Sequence, residues 1–366
     1  MTPGADPTSD RKRRHLELAL APTSQSPTPA GWDDVHLIPR SLPGVSPADV
    51  DLACTWFGET LAAPLMLAGM TGGHPDATEI NAVLGEAAEE VGIPVGVGSQ
   101  RAALIDPTLA PTFAAIRARA PHAFVVANLG ASQLVDQDES VALGSGEVAR
   151  AIEMVRADAL AVHLNVVQEL VQPEGDRRLH RLLDGIRSAV GWSSVPVLAK
   201  ETGAGMDRDS AVELVDAGIA ALDVGGRGGT SFARIEASRA ADVGEASLAT
   251  LGTVFADWGI STAASLIETR AIGVPVIATG GVRSGLDVAK ALAMGASLVG
   301  IGRPALLAAQ RGTAELVGVL EQLMLELRTA MVMSGARLPA DLSARPPVLT
   351  GHTAAWAAQR DTRGTV

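Results

Sequence analysis

A chain of 366 residues, 47% hydrophobic, with 39 glycines and 21 prolines, can bury a large core crossed by many loops, which excludes global disorder. Its formal charge of -12 excludes the broad basic face that nonspecific nucleic-acid binding needs, so a polyanionic ligand has to be met by local clusters of cations. The single cysteine, Cys54, excludes an intrachain disulfide framework and an all-cysteine metal site, and a cytoplasmic location is expected on that ground.

Residues 1 to 10 and 22 to 31 are rich in Thr, Pro and Ser and read as irregular. Between them Arg11 to Ala21 reads as a short helix. It is basic and then apolar, but Glu17 interrupts the apolar part and Pro22 ends it, so it lacks the core of a signal peptide. No stretch is long and apolar enough to insert into a membrane. The chain divides into an N-terminal extension (1–60), a core (61–337) and a tail (338–366) whose mixture of Pro, Ala, Thr and Arg predicts fraying.

Across the core, short apolar runs alternate with longer amphipathic segments, as a parallel sheet with crossover helices requires. Eight runs are expected as strands: Pro64 to Gly69, Ile93 to Gly98, Phe124 to Asn128, Leu160 to Asn165, Val195 to Lys200, Ala220 to Gly225, Pro275 to Thr279 and Leu298 to Gly302. Several, such as PVLAK and LVGIG, are apolar without alternation, which suits strands covered on both faces. Eight parallel strands predict a closed α/β barrel, the (β/α)8 TIM fold, rather than a doubly wound sheet. Polar residues recur after the runs: Gly69, Met70 and Thr71 after the first, Ser99 and Arg101 after the second, then Asn128, His163 with Asn165, and Lys200. That repetition places the chemistry at the C-terminal mouth. The long interval between strands six and seven, about Gly226 to Gly273, predicts a loop insertion over the mouth, with a helix at Ser261 to Arg270.

The sharpest local signal is ATGGVRSGLDVAKALAMGASLVGIGRP, Ala278 to Pro304. Gly280 and Gly281 let backbone amides approach an anion, Arg283 adds charge, and strand eight delivers Gly302 and Arg303 to the same place. Phosphate sites after strands seven and eight recur on this fold. A second turn, VGGRGGTS at Val224 to Ser231, offers Gly225 and the Thr230 hydroxyl to the same ligand. Taken alone, these glycines make tight βα turns and say phosphate, not which phosphate.

This pair of motifs resembles the FMN-dependent α-hydroxy-acid oxidases and their barrel relatives, which implies FMN. Five further strings resemble the type 2 isopentenyl diphosphate isomerases: RKRRHLE (Arg11 to Glu17), AGMTGG (Ala68 to Gly73), GVGSQRAAL (Gly96 to Leu104), HLNVVQELVQPEGD (His163 to Asp176) and KETGAGM (Lys200 to Met206). With GGRGGTSFARIE and TGGVRSG they run in order from residue 11 to about 304. The resemblance implies isomerisation of isopentenyl to dimethylallyl diphosphate by an allylic proton shift, with reduced FMN as acid and base, NADPH as its reductant, Mg²⁺, and a homo-oligomer, tetramer or octamer.

The residue types suit those roles. Arg11 and Lys12, with His15 in the same string, put cations on an acidic protein, as a diphosphate needs, and Ser99 and Arg101 form a second candidate contact. Ala68, Gly69, Met70, Thr71, Ser99 and Asn128 are expected along the flavin. Glu169 is a lone carboxylate near Asn165 and Gln168, a poor zinc ligand but a fitting one for Mg²⁺, which keeps waters and shares phosphate oxygens; Asp176 supports that region without being named a ligand. Lys200, one of three lysines, ends strand five where a cation would stabilise reduced flavin; a plain ion pair is the bland alternative. His163 and Asn165 are expected to alternate into the mouth, with His163 orienting substrate or tuning the flavin or simply packed in the core. Gln168 joins His163 and Lys200 as catalytic because the resemblance implies it.

Other chemistries lack a residue they need. The hydroxy-acid oxidases carry a catalytic His before the Gly-Gly after strand six, where this chain has Val224. Inosine monophosphate dehydrogenases need a cysteine in a mouth loop, and Cys54 precedes the first strand; the metal-dependent type 1 isomerases fail on the same ground. A non-catalytic flavin-binding barrel is the reading from another class.

Overall fold

The computed structural model describes residues 7–138 and 140–360, with side chains from Arg14 onward. Eight parallel strands close into a barrel: β1 (Leu65–Leu67), β2 (Val95–Gly96), β3 (Val125–Gly130), β4 (Ala159–Leu164), β5 (Val197–Glu201), β6 (Ala221–Asp223), β7 (Val276–Thr279) and β8 (Leu298–Ile301). Each pairs with its sequence neighbour, and β8 returns to β1. All eight expected runs form strands.

The alternation of side chains across each strand makes two cores. Outward residues such as Leu65, Val95, Val125, Leu160 and Leu222 pack under the helices. Inward residues Met66, Phe124, Val126, Ala159, Ala161, Leu198, Ala221, Ile277 and Leu298 fill the lumen. A hairpin of Cys54–Trp56 and Glu59–Leu61 stops the N-terminal end, turning at Phe57 and Gly58, both with positive φ. Its Trp56 and Leu61 join the lumen cluster, and Phe57 stacks on Phe124 at 6.1 Å. Burial pushes the Cys54 thiol up to about 11, so it is a packing group at neutral pH.

Three expectations change. β3 extends to Gly130, so Asn128 lies within the strand rather than after it. The insertion after β6 is mostly helical: Phe232–Asp242 and Ala246–Val254 precede the expected helix, which runs Thr262–Thr269 with Ser261 accepting from the Ala264 N–H at its start. The tail expected to fray is docked over its described residues, 338–360. Val348–Leu349 pairs with Val35–His36, and the helix Gly351–Arg360 buries Thr353 and satisfies the carboxylate of Glu268 through Trp356 Nε1 (2.8 Å) and Arg360 (2.8 and 3.0 Å). A buried carboxylate needs such donors, so the segment folds onto the barrel despite its loop-like composition.

The N-terminal extension also lies against the barrel. Its helix, Pro7–Leu20, ends where Arg303 donates to the carbonyls of Ala19 (3.1 Å) and Leu20 (2.7 Å), and the chain then bridges to Thr230 at Gln25. Among the described residues no helix is long and apolar enough to cross a membrane.

Candidate active site at the C-terminal mouth

The expected residues fall into three neighbouring groups at the C-terminal ends of the strands. The first is the phosphate end. Gly280 has φ +125°, and a Cβ there would lie 2.2 Å from the Gly226 carbonyl, so the turns after β6 and β7 touch only because residue 280 is glycine. Arg283 and Arg303 approach each other beside them. Burial, and then the charge of Arg303, pull the Arg283 guanidinium below its ordinary range. Among the described residues neither guanidinium hydrogen-bonds a carboxylate: Arg283 donates to Gln25 Oε1 (2.8 Å) and the Val282 carbonyl, Arg303 to the two helix-end carbonyls. Asp287, the nearest acid, accepts from the backbone N–H groups of Arg283 and Ser284 at the start of the next helix. Gln25 also donates to the Thr230 hydroxyl (3.3 Å). Two crowded cations beside glycine turns fit a phosphate monoester such as that of FMN, which would relieve their repulsion.

The second group rims the lumen. A small cavity is lined by Met66, Gly69, Gly96, Asn128, Lys200 and Asp223, among others. Its β1–β2 side is small: a Cβ on Gly69 would lie 2.2 Å from the Val97 carbonyl, and the Ala68 N–H donates to Ile301. Thr71 is buried there, its carbonyl accepting from the Gly98 N–H, with Ser99 following; Met70 reaches toward Gly302. Its β3–β6 side is polar. Asn128 Nδ2 donates to the Val97 carbonyl (3.0 Å), leaving Oδ1 to accept from His163 Nδ1 at 2.7 Å, which puts the proton on Nδ1. Lys200 Nζ donates to Asp223 Oδ2 (3.0 Å) and to the Glu201 carbonyl. The ion pair that was the bland reading of Lys200 is therefore present, inside the cavity where the flavin ring was expected. A small wall facing a polar one suits a flat heterocycle with hydrogen-bonding edges.

The third group carries the carboxylates. β4 stops at Leu164, and Asn165, at φ -140° and ψ 41°, starts the short helix Val166–Val171. The expected alternation of His163 and Asn165 along one strand is thus broken: His163 turns to Asn128, Asn165 to its own helix. Asn165 Nδ2 donates to Glu169 Oε1 (2.8 Å), and the Asp176 N–H donates to Glu169 Oε2 (2.8 Å). Arg101 bonds Asp176 Oδ2 at 2.9 Å, and Ser132 donates to both acids. Burial pushes the Glu169 carboxyl up, and the neighbouring Asp176 charge adds to that against two hydrogen bonds and Arg101. Two buried carboxylates share one guanidinium, a donor set that a hydrated Mg²⁺ fits.

Glu236 is the site residue missed in the sequence. It is fully buried, accepts from Gln168 Nε2 (2.9 Å), pairs with His15 Nε2 (2.8 Å) and meets Arg239 at 2.5 Å. Burial alone would raise its carboxyl; His15, Arg239 and Gln168 hold it below the ordinary value. The structure thereby brings His15 and Gln168 together through one acid. Arg11 and Lys12 lie on the same helix as His15, but their side chains are outside the described residues. Glu201, also buried, accepts three backbone N–H groups from Gly203, Ala204 and Gly205 at 2.6 to 2.9 Å; burial still pushes it up to about 8.

The FMN-dependent dehydrogenase family matches residues 23–111 and 182–346. Curated isopentenyl-diphosphate delta-isomerases are similar over nearly the whole chain: that of Methanosarcina barkeri is 45% identical over 354 residues (96% of this chain, 95% of the relative), and that of Archaeoglobus fulgidus 44% identical over 349 residues (95% and 98%). The chain belongs to the FMN-dependent isopentenyl-diphosphate delta-isomerase family. Solved structures share the fold: a mandelate oxidase variant with an FMN adduct aligns at TM-score 0.59 and 22% identity, covering 92% of each chain. Pediococcus acidilactici lactate oxidase aligns at TM-score 0.61 and 17% identity, covering 95% of this chain and 96% of its own. Val224, before the Gly-Gly after β6, is fully buried in the apolar core.

Proposed function

We propose that this chain converts isopentenyl diphosphate to dimethylallyl diphosphate, a step of isoprenoid biosynthesis, by adding a proton at one end of an allylic unit and removing one from the other. The observation that carries this reading over oxidation of a hydroxy acid is Val224: an oxidase needs a base there, and a side chain with no exposure in an apolar core offers none. An alkene is a weak base, so the shift needs a strong acid in a pocket closed to water. When bound and reduced by NADPH, FMN supplies that acid and the matching base.

The protein's part is to hold and orient. The FMN phosphate is assigned to Gly280, Gly281, Arg283, Gly302, Arg303, Gly225 and Thr230, and the ring to Ala68 through Thr71, Ser99, Asn128 and Lys200. Arg101, Ser99 and Asn165, with Arg11, Lys12 and His15 from the N-terminal helix, are assigned to the diphosphate, and Glu169 to a Mg²⁺ shared with it. His163, kept in one tautomer by Asn128, is assigned as an orienting donor or acceptor. Gln168 lines a second, open pocket, with Asn165 on one side and Phe232, Phe255 and Trp258 from the insertion on another. Its amide donates to Glu236, which makes it a relay between the acid and the prenyl group. The apolar wall suits a five-carbon chain. A homo-oligomer in the cytoplasm completes the proposal.

Adding lactate or mandelate to the oxidised holoenzyme tests the reading against its rival. Unchanged flavin absorbance is expected, together with dimethylallyl diphosphate formation after reduction and addition of isopentenyl diphosphate and Mg²⁺. Bleaching by a hydroxy acid, or no product from flavin verified as bound and reduced, would overturn it.

A further inference from the structure

Lys200 and Asp223 are cross-strand partners on β5 and β6, so their side chains leave the barrel wall side by side. Both line the lumen cavity with Gly69, Gly96 and Asn128. Nζ and Oδ2 are 3.0 Å apart, with 13% and 5% of the two side chains exposed. The other carboxylate oxygen of Asp223 accepts from the Gly225 N–H at 3.2 Å. Gly225 has φ +46°, and a Cβ there would fall 1.8 Å from the Glu201 carbonyl, so it holds a turn only glycine can make at the start of the phosphate loop. Asp223 therefore touches the lysine at the ring site and the loop at the phosphate site.

We infer that Asp223 is a positioning residue that sets the electrostatic balance of the flavin site, cancelling most of the charge of Lys200 while leaving its N–H donors aimed into the cavity. This rests on the reading that Lys200 faces the flavin. An unpaired lysine against the pyrimidine edge would favour a negative reduced flavin, raise its potential and strip the proton from its N1. Paired with Asp223, the same lysine donates a hydrogen bond without a net unit of charge. The bound reduced flavin then keeps its N1 proton more readily, which suits a cofactor required to act as an acid. Low dielectric in the closed lumen makes the balance count, because a charge at such a distance is little screened.

The test is the reduction potential of bound FMN, with the pH titration of the reduced flavin's absorbance, in the holoenzyme and three variants. Asp223→Asn is expected to move the equilibrium at least tenfold toward reduced flavin, about 30 mV for a two-electron couple, and to lower the titration midpoint. Lys200→Met is expected to shift both the other way. Adding Asp223→Asn to Lys200→Met is expected to raise the potential again at least tenfold, which keeps the test open even if the single Asp223 variant loses flavin. An unchanged potential on removing Asp223, while Lys200→Met shifts it, overturns the inference and leaves the Lys200 reading intact. If neither charge moves the potential, the placement of Lys200 at the flavin falls first. Pinning the Gly225 turn alone would change flavin affinity without this paired, opposite-signed response.

Discussion

The two flanks of the mouth are unbalanced in opposite senses. On the side of β7 and β8, Arg283 and Arg303 crowd each other without a hydrogen-bonded carboxylate among the described residues, and the charge of one depresses the other's proton affinity. On the side of β4, Glu169 and Asp176 crowd each other with Arg101 as their shared cation, and Glu169 is pushed up. Elsewhere Glu268 takes Trp356 and Arg360, which hold its carboxyl below the ordinary value, whereas Glu201 keeps its proton up to about pH 8 despite three backbone donors. Charge left over inside a folded protein costs stability. Where it persists, in adjacent sites of opposite sign, it is what the proposed ligands would balance: phosphate at one flank, a divalent cation at the other.

Substitutions separate the two flanks from the satisfied pairs. Glu169→Gln is expected to lower Mg²⁺-dependent turnover by on the order of a hundredfold or more while FMN affinity stays as it was; undiminished turnover would remove Glu169 from the metal. Arg283→Ala is expected to weaken FMN binding by roughly 10- to 100-fold, the worth of one charge-assisted hydrogen bond, with the Mg²⁺ concentration for half-maximal rate unmoved. A fluorescence titration reads the first quantity, and an equal loss of flavin in both variants would collapse the distinction between the flanks.

Two further buried carboxylates, Glu201 and Glu268, are expected to show in stability. The folded protein holds the Glu201 proton to about pH 8, whereas the unfolded chain releases it near the ordinary carboxyl value of 4.5. Folding therefore takes up a proton between those values. Stabilisation from this group is complete below the lower value and is lost as pH rises to the upper one, at up to about 1.4 kcal/mol per pH unit. Glu201→Gln keeps an oxygen for the three N–H donors, so its melting temperature is expected to vary less across that window; an unchanged slope would mean Glu201 is ionised throughout. Arg360→Ala is the mildest change, expected to cost about 1 kcal/mol with flavin binding and turnover kept, measured by denaturant melts. Any loss of flavin there would show that the C-terminal helix belongs to the site.

The sequence showed most clearly what depends on neighbours in the chain. Gly280, Gly281 and Arg283 sit in one turn, and their pattern predicts a glycine turn with a cation beside it before any fold is known. The eight strands were equally legible, because both-face burial leaves continuous apolar runs. Glu236 was not, since its meaning comes from three separate elements meeting at one carboxylate; the available signal was its place at the end of GGRGGTSFARIE, three residues before Arg239. Asn165 was misjudged because a strand pattern carried past the point where the backbone turns into a helix. The tail was misjudged for a similar reason: its composition reads as loop, and only the buried Glu268 explains why it folds down.

The central claim is that the two unbalanced flanks serve a reaction with no net oxidation. Counting dimethylallyl diphosphate formed against NADPH consumed, anaerobically, with FMN and Mg²⁺ present, tests it most directly. The account predicts one NADPH per flavin at the outset and then many products with no further consumption. One NADPH per product, or no product from reduced, flavin-loaded protein, would contradict it.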